Sequence, residues 1–183
     1  PKGALVRYLT KHDLSAICMH TNMDKARGGV NDALAAAVGI KDPKILIDGG
    51  VNEYGAEYGL CRYGELEEEM ELGDFLARVK ANLRPNGIRY NSCGKKVKRV
   101  AVGGGSCGDA IPYAAALGCD TFVSADLKYN MFLGAPDTGM NIIDAGHFPT
   151  ENVVCPELLR IVEQAGVTAF ISEKHREHVE YYL

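Results

Sequence analysis

The second half of the chain alternates short apolar runs with segments that have the spacing of amphipathic helices. The runs KRVAV, DTFVSA, MNIIDAG and VTAFIS each have the character of a β-strand. They are separated by helical segments of about ten residues, a pattern that predicts βα units. We therefore expect an α/β fold in which a mixed, largely parallel sheet is flanked by helices.

The first half is less regular but can be divided in the same way. ALVRYLTKHD predicts a helix, SAICMH a strand, and GVNDALAAAVG a helix that ends at Gly39. KILID and YGLCRYGEL predict strands, and ELGDFLARVKANLRPNG predicts a helix that stops before Pro85. We expect residues 1–95 to form the remainder of a first lobe with a linker, and residues 96–183 to form a second α/β lobe. Because the chain opens at Pro1 in a helical pattern, we expect it to be a fragment.

Composition excludes several classes of protein. The 183 residues are 46% hydrophobic, which is enough for a sizeable core. The net charge of −4 and the scattered Lys and Arg residues argue against binding to nucleic acid. The sequence shows neither a bilayer-spanning apolar run nor a signal-peptide pattern, so we expect a cytoplasmic protein without a membrane partner. Its six cysteines form no CxxC pair, and we expect them to be reduced thiols.

Three predicted loops follow strands and precede helices, where α/β proteins usually bind ligands. The loop GGGSCGD contains Gly103, Gly105 and Gly108 in the G-x-G-x-x-G spacing, and Asp126 lies at the next strand end. This spacing is compatible with a dinucleotide-binding turn, but also with a structural glycine turn or a simple anion-binding loop. The Walker A pattern is absent from the sequence.

The other two loops, MHTNMD and DAGHFPTE, share one arrangement of side chains. His20 and Asp24 are four residues apart, and His147 and Glu151 have the same separation. Imidazole and carboxylate groups are suitable ligands for Zn, Mn, Fe or Ni. The alternative is that both histidines are hydrogen-bonded at strand ends, and that Glu151 favours a helix N-terminus.

The segments HTNMDKARGGVNDALAAAVG, VAVGGGSCGDAIPYAAALGCDTFVSADLKY and IIDAGHFPTE together resemble the Nif-three-like family, the dinuclear metal centre proteins called GTP cyclohydrolase I type 2 homologs. The resemblance implies an α/β fold of two similar halves, a homohexamer, and two divalent metal ions per subunit. Residue by residue, it implies that Asp24, His147 and Glu151 are metal ligands and that His20 lies close to the ions. The family's His-His-Pro motif is missing from this chain, and Asn130 stands where many members have a histidine.

The resemblance also suggests a function. A paired divalent site suits hydrolysis or ring opening, so we expect a metal-dependent hydrolase that acts on a small nucleotide or cyclic substrate. The alternative is a noncatalytic, ring-forming, metal-binding scaffold or regulatory interaction protein.

The turn DAGHFPTE leads to a geometric prediction. Gly146 should allow a sharp turn after the strand, Pro149 should stiffen it, and Thr150 should cap the helix that carries Glu151. If the ligand assignment is correct, Asp24 must lie at the same edge of the sheet as His147.

Overall fold

The structure is a computed structural model that describes residues 2–182. Within this range the chain forms a six-stranded sheet in the order β1-β2-β4-β5-β6-β3. The strands are β1 (Ile40–Val51), β2 (Glu57–Met70), β3 (Arg89–Asn91), β4 (Val97–Val102), β5 (Thr121–Ser124) and β6 (Asn141–Asp144). The α-helices are α1 (Lys2–Lys11), α2 (Thr21–Lys25), α3 (Val30–Val38), α4 (Leu72–Leu83), α5 (Ile111–Ala116), α6 (Tyr129–Leu133), α7 (Ala135–Thr138), α8 (His147–Asn152) and α9 (Cys155–Gln164).

The sheet is mixed, as expected for the predicted α/β class. Strands β4, β5 and β6 are parallel neighbours, and their carboxyl ends lie at one edge. Strands β1 and β2 form a long antiparallel hairpin that continues the sheet beside β4, and β3 pairs antiparallel with β6. The two predicted lobes therefore contribute strands to one sheet, and their division at residue 95 stays a prediction.

The hydrophobic core lies on both faces of the sheet because the parallel strands are covered on both sides. Val100, Val123 and Ile143 point to the face that α3 and α4 cover. Ala101 and Phe122, each adjacent in sequence to one of these residues, point to the opposite face, where α5 packs. Every residue of β5 and β6 is buried, so neither strand shows the alternation of buried and exposed positions that a sheet covered on one face has.

Two predicted helix ends are confirmed by the backbone. Helix α3 ends at Val38, and Gly39 adopts the left-handed conformation with φ 94°. Helix α4 ends at Leu83, just before Pro85, and its cap residue Arg84 is also left-handed. Glycine pays no steric penalty at such a position, which is why Gly39 marked its helix end more clearly in the sequence.

Two predicted strands are wrong. SAICMH and VTAFIS are irregular in the structure, and nearly all their residues are exposed. A strand is stable only when its backbone groups pair with a neighbour, and the sheet formed by residues 2–182 ends at β1 and β3 without pairing either segment. The helix predicted from Glu151 also differs, since it begins at His147 and is interrupted between α8 and α9.

Two further features of residues 2–182 bear on the sequence-based predictions. All six cysteines lie in this range and are free thiols, in agreement with the expected reduced state. Among the described helices, none combines the length and the apolar character required to cross a lipid bilayer.

Candidate metal centre at the carboxyl ends of the parallel strands

The turn after β6 places His147 and Glu151 on one face of a short helix. Gly146 has φ 86° and ψ 145°, a conformation that L side chains rarely adopt, and its amide donates to Asp144 Oδ1 at 3.1 Å. The chain enters α8 directly after this turn, so that His147 and Glu151 are one helical turn apart. His147 Nε2 lies 3.1 Å from Glu151 Oε1. The predicted role of Gly146 is therefore confirmed.

Thr150 does not cap α8, and this part of the prediction is wrong. The helix begins four residues earlier than predicted, so Thr150 lies inside it and is fully buried. Its hydroxyl is 2.9 Å from the carbonyl oxygens of Gly146 and His147, and it accepts a hydrogen bond from the Gly105 amide at 3.0 Å. Thr150 therefore connects α8 to the glycine loop after β4.

Asp126 orients the imidazole of His147. It follows β5, adopts a left-handed backbone with φ 52°, and places Oδ2 2.6 Å from His147 Nδ1. The imidazole thus lies between two carboxylates, Asp126 on Nδ1 and Glu151 on Nε2. Partial burial lowers the pKa of His147, but the hydrogen bond to Asp126 and the charge of Glu151 outweigh it, so the pKa is raised overall.

Asp24 lies at the same end of the sheet as His147 and Glu151. It belongs to α2, and together with His20 and Glu151 it lines a cavity of about 250 Å³. Burial raises the pKa of Asp24 and the Glu151 carboxylate raises it further, whereas His20 and His147 lower it. Asp24 therefore lies near Glu151, whereas the assignment of a shared metal site stays a prediction. His20 is exposed, and its Nδ1 lies 3.0 Å from the Thr21 hydroxyl.

Asn31 holds the Asp24 segment against the glycine loop. This fully buried side chain donates to the Asp24 carbonyl oxygen at 2.9 Å and accepts from the Gly104 amide at 2.9 Å. The amide group has a donor and an acceptor, so it can bridge two backbone segments that do not touch directly. Asn31 belongs to the sequence GVND, which carried part of the resemblance without indicating this role.

Arg62 provides a second anchor beneath the same segment. Its guanidinium is fully buried, lies 2.5 Å from Asp32 Oδ1, and also donates to the carbonyl oxygen of Ala26 at 3.0 Å. Two further bonds reach the carbonyl oxygens of Gly59 and Cys61. The loop between α2 and α3 is therefore fixed to strand β2.

The glycine loop after β4 is a structural turn. The amides of Gly103, Gly104 and Gly105 donate to Val123, Asn31 and Thr150 respectively, so they have partners within the protein. A Cβ on Gly105 would collide with Glu151 Oε1 and would lie 3.1 Å from His147 Nε2. The glycines thus allow the backbone to approach the candidate ligands closely. Of the alternatives left open by the sequence, the structural turn agrees with these contacts.

The chemistry of these side chains suits a divalent metal ion. A histidine that ligates a metal usually donates its other ring nitrogen to a carboxylate, as His147 Nδ1 can to Asp126. Glu151 and Asp24 are oxygen donors beside it. Within residues 2–182, however, no three His, Cys, Asp or Glu side chains are grouped closely enough to hold an ion, so this arrangement is a partial ligand set.

His175 is a site residue that the sequence did not indicate. His175 is exposed. Its ring packs 4.8 Å from the ring of Phe148, and it lines the cavity shared by Asp24 and Glu151. The C-terminal segment therefore forms part of the cavity rim through a tertiary contact without a sequence motif.

The fold and these side chains define an α/β protein with a histidine–carboxylate cluster at the ends of its parallel strands. The chain belongs to the Duf34/NIF3 (NGG1p interacting factor 3) family, whose match covers residues 1–177.

Comparisons with individual proteins agree with this assignment. The chain is 30% identical over 186 residues to a GTP cyclohydrolase 1 type 2 homolog of Clostridium perfringens, covering 98% of this chain and 69% of that protein. It is 32% identical over 145 residues to the homolog of a Nostoc species, covering 76% of this chain and only 52% of the relative. The chain thus spans about half to two thirds of these relatives.

The fold also matches solved structures. A Bacillus cereus protein related to NIF3 superposes with a TM-score of 0.79 and 23% identity, over 98% of this chain and 77% of that one. A hypothetical protein of Staphylococcus aureus gives the same TM-score at 25% identity, over 98% and 73% of the two chains. The α/β class is therefore confirmed.

Proposed function

We propose that the chain binds divalent metal through Asp24, His147 and Glu151, with His20 close to the ions, and that the protein is a metal-dependent hydrolase. The observation that carries this proposal is the hydrogen bond between Asp126 and His147 Nδ1, which leaves Nε2 beside Glu151. The family implies two ions per subunit. Zn, Mn, Fe and Ni all accept this mixture of nitrogen and oxygen donors.

The residues of the chain have distinct parts in this proposal. A bound divalent ion supplies Lewis-acid polarisation of a phosphoryl or carbonyl oxygen. Asp126 fixes the ring of His147, while Asn31 and Arg62 fix the backbone that carries Asp24. The cavity beside Asp24 extends to Phe148 and His175, and it is where a small nucleotide or cyclic substrate would bind beside the ions.

Metal content tests the ligand assignment. The chain is loaded with Zn²⁺ or Mn²⁺, passed through a desalting column, and analysed for bound metal alongside Glu151→Gln. We expect the variant to lose most of the bound metal, because an amide oxygen is a weaker donor than a carboxylate. Glu163→Gln, on the exposed end of α9, is the matched control and should retain it. Equal metal content in Glu151→Gln would remove this residue from the site.

Turnover distinguishes the enzyme from the noncatalytic scaffold. The scaffold alternative is favoured by the partial ligand set within residues 2–182. The full-length, metal-loaded protein should be tested with GTP and with other phosphorylated or cyclic substrates. If the protein is a hydrolase, Asp24→Ala should abolish turnover. Metal binding that persists without turnover of any substrate would instead support a metal-binding scaffold.

We also propose that the full-length protein is a homohexamer, as the family resemblance implies. Helix α1 supports this idea, since its described residues are almost all exposed and include Leu5, Val6 and Tyr8. Exposed apolar groups of this kind are usually covered by another surface. The 183-residue chain should form smaller or ill-defined oligomers in light scattering. A monodisperse hexamer of this chain would show that these 183 residues are sufficient for assembly.

A further inference from the structure

Two cysteines lie beside Gly103, near the candidate metal centre. A Cβ built on Gly103 would lie 2.8 Å from Cys61 Sγ and 3.1 Å from Cys107 Sγ. Both sulfur atoms therefore lie within van der Waals distance of the same position. Cys61 comes from strand β2 and Cys107 from the loop after β4, so only the folded sheet brings them together.

The two thiols have complementary environments. Cys61 is fully buried, and its backbone has φ 59°, a left-handed conformation that is costly for a residue other than glycine. Cys107 is half-buried, and its thiol donates to the Gly104 carbonyl oxygen at 3.3 Å. Cys107 is thus the more exposed of the two residues, and Cys61 is shielded from solvent.

The proximity of the two thiols also separates their acidities. It lowers the pKa of Cys107 below its usual value, and together with burial it raises the pKa of Cys61 well above the usual range. Reactivity of a cysteine towards oxidants follows the thiolate fraction and the access of the oxidant to sulfur. Access and acidity therefore both favour Cys107 as the first sulfur to react.

We propose that peroxide oxidises Cys61 and Cys107 to a reversible disulfide. This thiol pair is then a redox modification site beside the His147 and Glu151 cluster. The Cys107 sulfur attacks a peroxide oxygen, the O–O bond breaks, and one water leaves, giving a sulfenic acid at Cys107. The Cys61 sulfur then attacks the Cys107 sulfur, the S–O bond breaks, and a second water leaves. The thiol pair loses two electrons and two protons, and the peroxide is reduced to two waters.

The remaining cysteines lack a partner of this kind within the described residues. Cys119 is buried, and burial raises the pKa of its thiol to about 11. Cys93 and Cys155 donate to the side-chain oxygens of Asn141 and Asn152. Cys18 is exposed, on the irregular segment after α1. Mild oxidation should therefore select one pair.

Peptide mapping after oxidation tests the proposal. The metal-free chain is treated with hydrogen peroxide, its free thiols are alkylated in denaturant, and its peptides are analysed by mass spectrometry. We expect two of the six thiols to be lost per chain, together with one peptide that links Cys61 to Cys107, and full recovery of both thiols with a dithiol reductant.

Three variants make the result specific. In Cys107→Ser, peroxide should no longer remove two thiols together. In Cys61→Ser, the oxidation of Cys107 should continue to sulfinic acid instead of stopping at a disulfide. Cys93→Ser is the matched control and should oxidise like the unchanged chain. If Cys61→Ser does not fold, Cys107→Ser alone decides the outcome, because Cys107 is half-buried in the loop after β4 and Cys61 is fully buried in strand β2. A linked peptide between other cysteines, or oxidation without any linked peptide, would overturn the proposal.

Discussion

Two ion pairs hold neighbouring parts of this molecule, and their surroundings give them different roles. Arg62 and Asp32 are 2.5 Å apart, and the arginine side chain is wholly inaccessible to solvent. His147 and Asp126 are 2.6 Å apart, but their side chains are 48% and 58% exposed. The distances are nearly equal, whereas the dielectric surroundings are not.

The comparison shows that a short distance between two charged groups does not by itself indicate a large contribution to stability. An exposed ion pair is weakened by solvent, and its net contribution to the free energy of unfolding is usually below about 1 kcal/mol. A buried charge must keep its partner, because removing either one leaves the other desolvated and uncompensated. We therefore interpret Arg62–Asp32 as the pair that maintains the fold, and His147–Asp126 as the pair that sets the orientation of a functional side chain.

The largest expected effect is on the buried pair. Arg62→Met should lower the free energy of unfolding by about 3–5 kcal/mol, because Asp32 loses its partner and three carbonyl oxygens lose a donor. Urea denaturation followed by circular dichroism measures the change. Arg27→Met, which breaks the exposed pair with Glu57, is the control and should cost less than about 1 kcal/mol. Equal losses of unfolding free energy in the two variants would mean that burial does not set the contribution of these ion pairs.

The second prediction concerns the close approach of the glycine loop to His147 and Glu151. Gly105 and Gly118 both have a positive φ, 66° and 70°, but a Cβ on Gly118 would meet open space. Gly118→Ala should therefore cost about 1–2 kcal/mol of backbone strain only. Gly105→Ala should cost about 1–3 kcal/mol more, because the methyl group displaces Glu151. Thermal unfolding of both variants measures the difference, and similar values would mean that Glu151 can move aside freely.

A third prediction asks whether the anchoring extends to Asp24. Asn31→Ala leaves the buried Gly104 amide without an acceptor, and should lower the free energy of unfolding by about 1–3 kcal/mol. Asn82→Ala removes an exposed bond to the Ala37 carbonyl oxygen and should cost clearly less. Hydrogen exchange should also show faster exchange in α2 for Asn31→Ala alone. Unchanged hydrogen exchange in α2 would mean that Asn31 does not hold the segment that carries Asp24.

The smallest expected effect on stability concerns the exposed pair. Asp126→Asn should change the free energy of unfolding by less than about 1 kcal/mol, since asparagine also tolerates the left-handed backbone of this position. If the proposed function is correct, the same variant should weaken Zn²⁺ binding by about 10- to 100-fold, because His147 loses its orienting carboxylate. Calorimetric titration measures this affinity, with Asp137→Asn as the control. A large loss of stability with unchanged zinc affinity would reverse the roles of the two ion pairs.

Local patterns in the sequence were sufficient for much of the fold. The alternation of strands and helices predicted β4, β5 and β6, and Gly39 and Gly146 marked sharp changes of backbone direction. SAICMH and VTAFIS have the composition of strands but remain unpaired in residues 2–182. Composition reports the preference of a segment, whereas a strand also needs a neighbour whose backbone groups face it.

The candidate site divides in the same way. The sequence identified His147 and Glu151 as candidate donors but placed only Glu151 on a helix. They share a helix face because α8 begins at His147, and residues four apart lie on the same face of an α-helix. The placement of Asp24, Asp126 and His175 around them was decided by tertiary structure, since these residues come from distant segments. The same is true of Arg62, which meets Asp32 from a distant segment, and of the two cysteines, which both lie beside Gly103 only after β2 pairs with β4. The sequence by itself specified the local turns and the donor chemistry, whereas long-range packing decided which charges are buried, which remain exposed, and which groups meet.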